Sequence, residues 1–226
     1  MQPGEKEVKV WDAPVRLFHW LLVLLFAFMF FSGKSGSEWL EWHVRAGYAI
    51  FALLIFRVLW GFAGGTHARF GSFIAGPKAC IECLQLLMKR APLPYAGHNP
   101  LGGWMVIVLL ASLLFQVSTG LFANDDLLFE GPLANLVSKA TSDRLTTWHV
   151  WNFNLLLLLG AAHILAVLYH WRFMKENLIG AMFTGVKHLP ADAPGSVAAR
   201  FASPWLALVL LAVAALAVYL IIKRPF

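Results

Sequence analysis

Five stretches of this chain are apolar over nearly the length that crosses a bilayer: about 17–32, 43–62, 101–122, 147–171 and 205–222. A helix needs roughly 20 such residues to span the hydrocarbon. Apolar residues make up 59% of the 226 and charged residues only 13%. A chain this short cannot hide that much apolar surface from water, whereas lipid is itself an apolar solvent. The expected fold class is all-α integral membrane, a four-helix transmembrane bundle plus a fifth, C-terminal transmembrane helix. Residues 1–190 would form the bundle domain, and 191–226 a linker and the additional helix.

The net charge of +6 and the pI near 9.6 do not point to nucleic acid, because the charges sit between the apolar runs. They read as topology signals and as contacts with anionic lipid. One set of connections carries Lys6, Lys9, Arg16, Arg69, Lys78, Lys89, Arg90, Arg172, Lys175, Lys187 and Arg200, the other Lys34, Arg45, Lys139, Arg144, Lys223 and Arg224. That bias predicts a cytoplasmic N-terminus, with acidic Asp125, Asp126, Glu130 and Asp143 outside. Charges of both signs precede the first apolar run and no small-residue cleavage site follows it, so a secretory signal is not expected.

Residues 76–90 place Ile81, Leu84, Leu87 and Met88 at helical spacing after Pro77, which predicts a short helix on the cytoplasmic surface. Residues 131–140, opened by Pro132, read as a second short helix outside, and 191–196, with Pro194 and Gly195, as the linker. Cys80 and Cys83 have a Cys-x-x-Cys spacing, but no second pair completes a zinc site. Leu84 rather than histidine follows Cys83, so covalent haem attachment is excluded and the pair reads as incidental helix residues.

Four of the eight histidines, His19, His43, His149 and His163, fall within apolar segments, where an unpaired imidazole is costly. His149 and His163 share one segment. Fourteen residues make almost four turns, so both point to one face, about 21 Å apart along the axis. They cannot share one metal but can serve two sites at different depths. The alternating direction of the segments brings His43 to the level of His149 and His19 to that of His163. Two bis-histidine sites, one per leaflet, suit two low-spin haems b, with both axial positions of each iron taken. His170, seven residues after His163, is the reserve ligand for the inner site. His67, His98 and His188 lie in connections and read as interfacial.

A haem plane needs small residues beside it. Gly47, one turn after His43, is one candidate, and Gly61, Gly120 and Gly160 are others; such residues also pack membrane helices. Arg57 lies fourteen residues beyond His43, at the inner level, and with Arg16 could pair with the inner haem's propionates. Arg45 and Arg144 could serve the outer haem. Headgroup contact is the competing reading for Arg16, Arg45 and Arg144.

Several stretches together resemble the bacterial cytochrome b561 family, which includes the b-type cytochrome subunit of membrane-bound nickel–iron hydrogenases. They are Val10-Trp11-Asp12-Ala13-Pro14-Val15-Arg16-Leu17-Phe18-His19-Trp20, Arg57-Val58-Leu59-Trp60-Gly61-Phe62, Gly97-His98-Asn99-Pro100-Leu101-Gly102-Gly103 and Thr119-Gly120-Leu121-Phe122, completed by His149 and His163. The resemblance covers about 8–190. It implies a four-helix haem-binding core, electron exchange with quinone, and ligation by His19 with His163 and by His43 with His149. The fifth apolar segment departs from the four-helix pattern and is left to dock a partner or complete a quinone pocket.

The expected function is dihaem electron transfer across the bacterial inner membrane, between the quinone pool and a periplasmic redox partner, either a hydrogenase or a c-type cytochrome. Lipid and quinone or quinol are further partners, a homodimer is open, and nucleic acid is excluded. Glu176, His170 and Glu41 are candidates to handle quinone protons. One alternative oxidises superoxide at the outer haem without a protein partner. Another is a histidine-lined metal or proton transporter, disfavoured by the scarcity of carboxylates in the apolar segments. Purified with haem supplied, the protein should show a sharp b-type α-band on reduction and about two haems per chain; a colourless product would exclude the cytochrome reading.

Overall fold

The computed structural model describes residues 5–91, 93, 95–126, 129–190 and 199–223. The described chain is mostly helical, with α1 (Ala13–Ser32), α2 (Leu40–Ala63), α3 (Pro77–Met88), α4 (Pro100–Gly120), α5 (Lys139–Tyr169), α6 (Leu178–Thr184) and α7 (Pro204–Ile222). Five stretches are long and apolar enough to cross a membrane: Ala13–Ser32, Ser37–Ala63, Pro100–Gly120, Lys139–Met174 and Pro204–Ile222. Large apolar side chains such as Leu24, Leu158, Ile164, Leu208 and Leu216 stand exposed on them, as lipid-facing residues do. The all-α membrane class and the five spans are therefore as expected.

The chain divides into two compact units. The first comprises Met1–His19, Arg57–Val108 and Ala161–Ala207. Its helix starts are set by side-chain caps. Asp12 Oδ1 accepts from Val15 N–H at 2.8 Å, and Asn99 Oδ1 accepts from Gly102 N–H at 2.7 Å. Each is followed within two residues by a proline that needs no donor partner in the first helical turn. The other oxygen of Asp12 accepts from Trp60 Nε1–H at 3.0 Å, so one buried carboxylate caps α1 and anchors a fully buried indole.

Two short strands, β1 (Glu5–Lys9) and β2 (Val186–Pro190), pair antiparallel with Val8 opposite Lys187; the sequence reading did not anticipate them. Their junction depends on Gly185, which ends α6 at φ +83° and accepts from the N–H groups of Val10 and Trp11. A side chain there would be strained by that φ and would meet the Trp11 carbonyl. The helix expected over 76–90 is α3, with Pro77 at its first turn.

The second unit comprises Trp20–Phe56, Leu109–Gly160 and Leu208–Phe226. Leu54 and Leu156 are the largest of its fully buried side chains. A polar clamp joins α4 to α5 within it. Ser112 Oγ donates to Asn152 Oδ1 at 2.8 Å, and Asn152 Nδ2 donates to the Ser112 carbonyl and to Gln116 Oε1. In an apolar surrounding such groups bond to one another across helices.

The second short helix expected over 131–140 is only one 3-10 turn, Ala134–Leu136. α5 instead begins at Lys139, eight residues before the apolar boundary. Ser138 caps it, accepting from Thr141 N–H, and Lys139 pairs with Asp143 one turn on. Polar opening turns carry no hydropathy signal, so the apolar pattern underestimates the helix. The linker expected over 191–196 lies outside the described residues.

Asp12→Ala removes a helix cap and strands the indole N–H of Trp60, which should cost about 2 kcal/mol. Thermal unfolding in detergent, read by far-UV circular dichroism, checks this; an unchanged midpoint would contradict the dual role.

Candidate functional site

Each unit contains one pair of facing histidines. In the second, His43 on α2 and His149 on α5 have ring centres 6.4 Å apart. Their outer nitrogens are occupied. His43 Nδ1 lies 3.0 Å from Ser32 Oγ, whose hydroxyl turns to the Met29 carbonyl. His149 Nδ1 lies 2.9 Å from the Gln116 carbonyl and 3.3 Å from Thr119 Oγ1. Carbonyl and hydroxyl acceptors assign the proton to Nδ1, which leaves Nε2 of each ring as a ligand. Thr119 donates its own proton to the Phe115 and Gln116 carbonyls.

Glycines make room for both rings. A Cβ on Gly33 would stand 3.2 Å from His43 Cε1, and one on Gly120 would stand 2.9 Å from His149 Cε1. The pair opens on a cavity of about 470 Å³ lined by His43, His149, Gly47, Leu113, Val117 and Phe153, with Lys34 also on its wall. That volume is within the usual range for a cofactor site. Gly47 has only Met29 Cε near its Cβ position, at 3.8 Å, so a larger residue there would fill the cavity rather than clash with the backbone.

In the first unit, His19 on α1 and His163 on α5 also have ring centres 6.4 Å apart. An imidazole nitrogen stands ~2 Å from a metal it binds and ~1 Å from its own ring centre, so two rings sharing one metal have centres ~6 Å apart. Both pairs fit that separation. Among the described residues no group of three or more His, Cys, Asp or Glu could hold a metal ion. A site with two protein ligands binds iron firmly only when a macrocycle supplies the remaining ligands, as a haem does.

Around the first pair, Arg57 is 3% exposed and lies over the Phe70 ring. Arg16 donates through Nη1 to the Phe183 carbonyl. Trp11 packs against His98 and His67, with ring centres 4.6 and 6.5 Å away. Burial, then the nearby Arg57 and Lys187 charges, push His98 down to about 3, so its imidazole is neutral. Burial, with Lys187, also lowers His67.

His170 is not part of either pair. Its Nδ1 donates to Glu176 Oε2 at 2.7 Å, and its Nε2 accepts from Asn99 Nδ2 at 3.5 Å. Glu176 in turn pairs with buried Lys187, which also donates to the Tyr95 carbonyl. Glu41 is exposed and pairs with Arg45, which lies over the Trp42 ring. Arg144 is exposed on α5 and is absent from the described lining of the cavity, whereas Lys34 is present. Gly61 packs on the Phe70 ring and Gly160 faces open space. In the sequence Gly33 carries no signal, Lys34 reads only as a topology charge, and His67 and His98 read only as interfacial, because all four lie at helix ends or in connections, where periodicity says nothing.

The profile of the prokaryotic cytochrome b561 family matches residues 10–185. Three similar proteins each bear the name "Probable Ni/Fe-hydrogenase B-type cytochrome subunit". That of Rhizobium leguminosarum bv. viciae is 31% identical, over 52% of this chain and 62% of its own length. Those of Azotobacter chroococcum mcd 1 and Azotobacter vinelandii are 26% and 27% identical, each over 83% of this chain and 91% of its own. No solved structure matches the chain.

The Glu176 network can be tested apart from any cofactor. Burial raises the Glu176 carboxyl, but the His170 hydrogen bond and the Lys187 ammonium outweigh it and hold the group below the usual carboxylate range. A carboxylate with a lowered folded pKa contributes stability above its unfolded pKa and loses that contribution as pH falls through the folded value. Glu176→Gln leaves the Lys187 ammonium buried beside a neutral amide, at a cost of about 3 kcal/mol at pH 7. Melting curves from pH 7 down to about pH 2.5 should show the wild-type advantage shrinking once pH falls below the ordinary carboxylate value of 4.5; a gap independent of pH over that range would contradict the pairing.

Proposed function

This chain belongs to the prokaryotic cytochrome b561 family, and we propose that it is a dihaem electron carrier linking quinone to a redox partner outside the inner membrane. Family membership and the five apolar helices make it a multi-pass membrane cytochrome of the b type with an electron-transfer role. The finer reading rests on one observation: two histidine pairs with the same 6.4 Å ring separation, each within its own unit. Bound haem b supplies one-electron exchange between the ferric and ferrous states.

The residues of this chain do the rest. His19 with His163, and His43 with His149, would each hold one haem, which would supply electron transfer rather than dioxygen binding. Ser32, the Gln116 carbonyl and Thr119 orient the second pair by holding its Nδ1 protons. Gly33, Gly47 and Gly120 keep the space beside the rings free, and the apolar cavity wall excludes water. Arg16 and Arg57 supply positive charge beside the first pair, and Lys34 beside the second. The engagement of both His170 nitrogens supports His163 as the ligand. His149 and His163 lie on one helix with about 21 Å of rise between them, which suits relay through the bilayer.

The names borne by the relatives support a hydrogenase as the redox partner. A c-type cytochrome is the other partner this reading admits, and quinone or quinol exchanges electrons at the opposite end. The positive bias of the connections supports a cytoplasmic N-terminus.

His43→Ala or His149→Ala should remove one haem and leave the other with its α-band. His19→Ala or His163→Ala should remove the second and leave the first. Pyridine haemochrome assay and reduced-minus-oxidised spectra of the purified variants decide it. If His170→Ala loses a haem while His163→Ala keeps both, the assignment of the inner pair fails.

A further inference from the structure

We propose that His67 and His98 complete, with Arg16 and Arg57, an anion cradle for the propionate carboxylates of the haem held by His19 and His163. The inference rests on the two-haem reading. Four enclosed nitrogens of the first unit lack a hydrogen-bond partner among the described residues: Arg16 Nε, Arg57 Nη1, His67 Nε2 and His98 Nδ1. Buried polar groups are ordinarily bonded, and a buried cation demands an anion.

The protein's own carboxylates do not meet that demand. Asp12, within electrostatic reach of Arg57, spends one oxygen on the Val15 N–H and the other on the Trp60 indole. Glu176 is engaged by Lys187 and His170. Among the described residues no carboxylate lies within ion-pairing distance of Arg16 or Arg57.

Arg57, His67 and His98 belong to one locality, and Arg16 Nε shares with the Trp11 carbonyl the space beside Gly185. His98 interacts electrostatically with Arg57, His67 and the ligand His163, which ties the connection between α3 and α4 to the histidine pair. Trp11 packs against both imidazoles, and Phe73 lies 4.9 Å from His98. Gly97 lets His67 approach, since a Cβ there would stand 2.9 Å from its Nδ1. Two neutral imidazoles and two guanidinium groups offer N–H donors, and a carboxylate accepts several at once. A dicarboxylate therefore suits this set better than a neutral quinone carbonyl.

The test uses the full chain, haem-loaded in detergent, with His67→Ala, His98→Ala and Arg57→Gln. Less neutralised propionates favour ferric iron, so the midpoint potential of one haem should fall in each variant. That haem should be the one missing from His19→Ala, and the other should not move. Transfer of the same haem to apomyoglobin should become about tenfold faster, the change expected for losing one charge-assisted hydrogen bond. His98→Asn, which returns an N–H near the Nδ1 position, should restore both readouts; its retained second haem also shows that the variant folds. Unchanged potentials and transfer rates, or equal shifts of both haems, overturn the cradle. So does a change confined to the KM for quinol, which would assign these nitrogens to quinone instead. Wild-type protein with fewer than two haems would instead overturn the reading on which the cradle rests.

Discussion

An imidazole inside an apolar bundle must have both nitrogens engaged, and the rest of this structure is arranged around that requirement. For His43 and His149 one nitrogen is tied to Ser32 and to the Gln116 carbonyl respectively, and the two rings stand with their centres 6.4 Å apart. The rings can stand there because Gly33 and Gly120 carry no side chain where one would meet them. The Asn152 clamp on α4 and α5 lies in the same unit, one turn beyond His149, and holds the two helices in register. Ligand orientation, helix packing and cavity shape are thus consequences of satisfying a few polar groups where water is excluded.

Charge follows the same logic in the first unit. Asp12 is enclosed, yet both of its oxygens are bonded, so it acts as a cap and an anchor. Lys187 is enclosed and balanced by Glu176. Arg57 is equally enclosed but is not balanced by any described carboxylate within ion-pairing distance, and its neighbours His67 and His98 are held neutral. The imbalance separates Arg57 from the buried charges that are met within the fold. His170, also buried, belongs with the former because Glu176 and Asn99 bond its two nitrogens.

Much of the fold was legible in the chain because lipid imposes a simple code. The five spans follow from apolar length, and α3 follows from Pro77 and the spacing of Ile81, Leu84 and Leu87. The early start of α5 was hidden because Ser138, Lys139 and Asp143 build a helix from polar residues. The pairing of β1 with β2 was hidden because it joins segments about 180 residues apart through a turn at Gly185. Arg144 looked suitable at the outer level by position alone, but Lys34, on a loop with no periodicity, is the cation on the described cavity wall.

By itself the sequence determined the membrane class, the five spans and the two depths at which histidines recur, because helical rise and apolar length are local properties of a chain in lipid. Only the tertiary structure decided which nitrogens face a partner and which are already bonded. It set His163 opposite His19, bonded His170 to Glu176 and Asn99, and brought His67 and His98 from two connections to the same indole. The physical reason is that a polar group's role depends on what surrounds it, and those surroundings come from segments far apart in sequence.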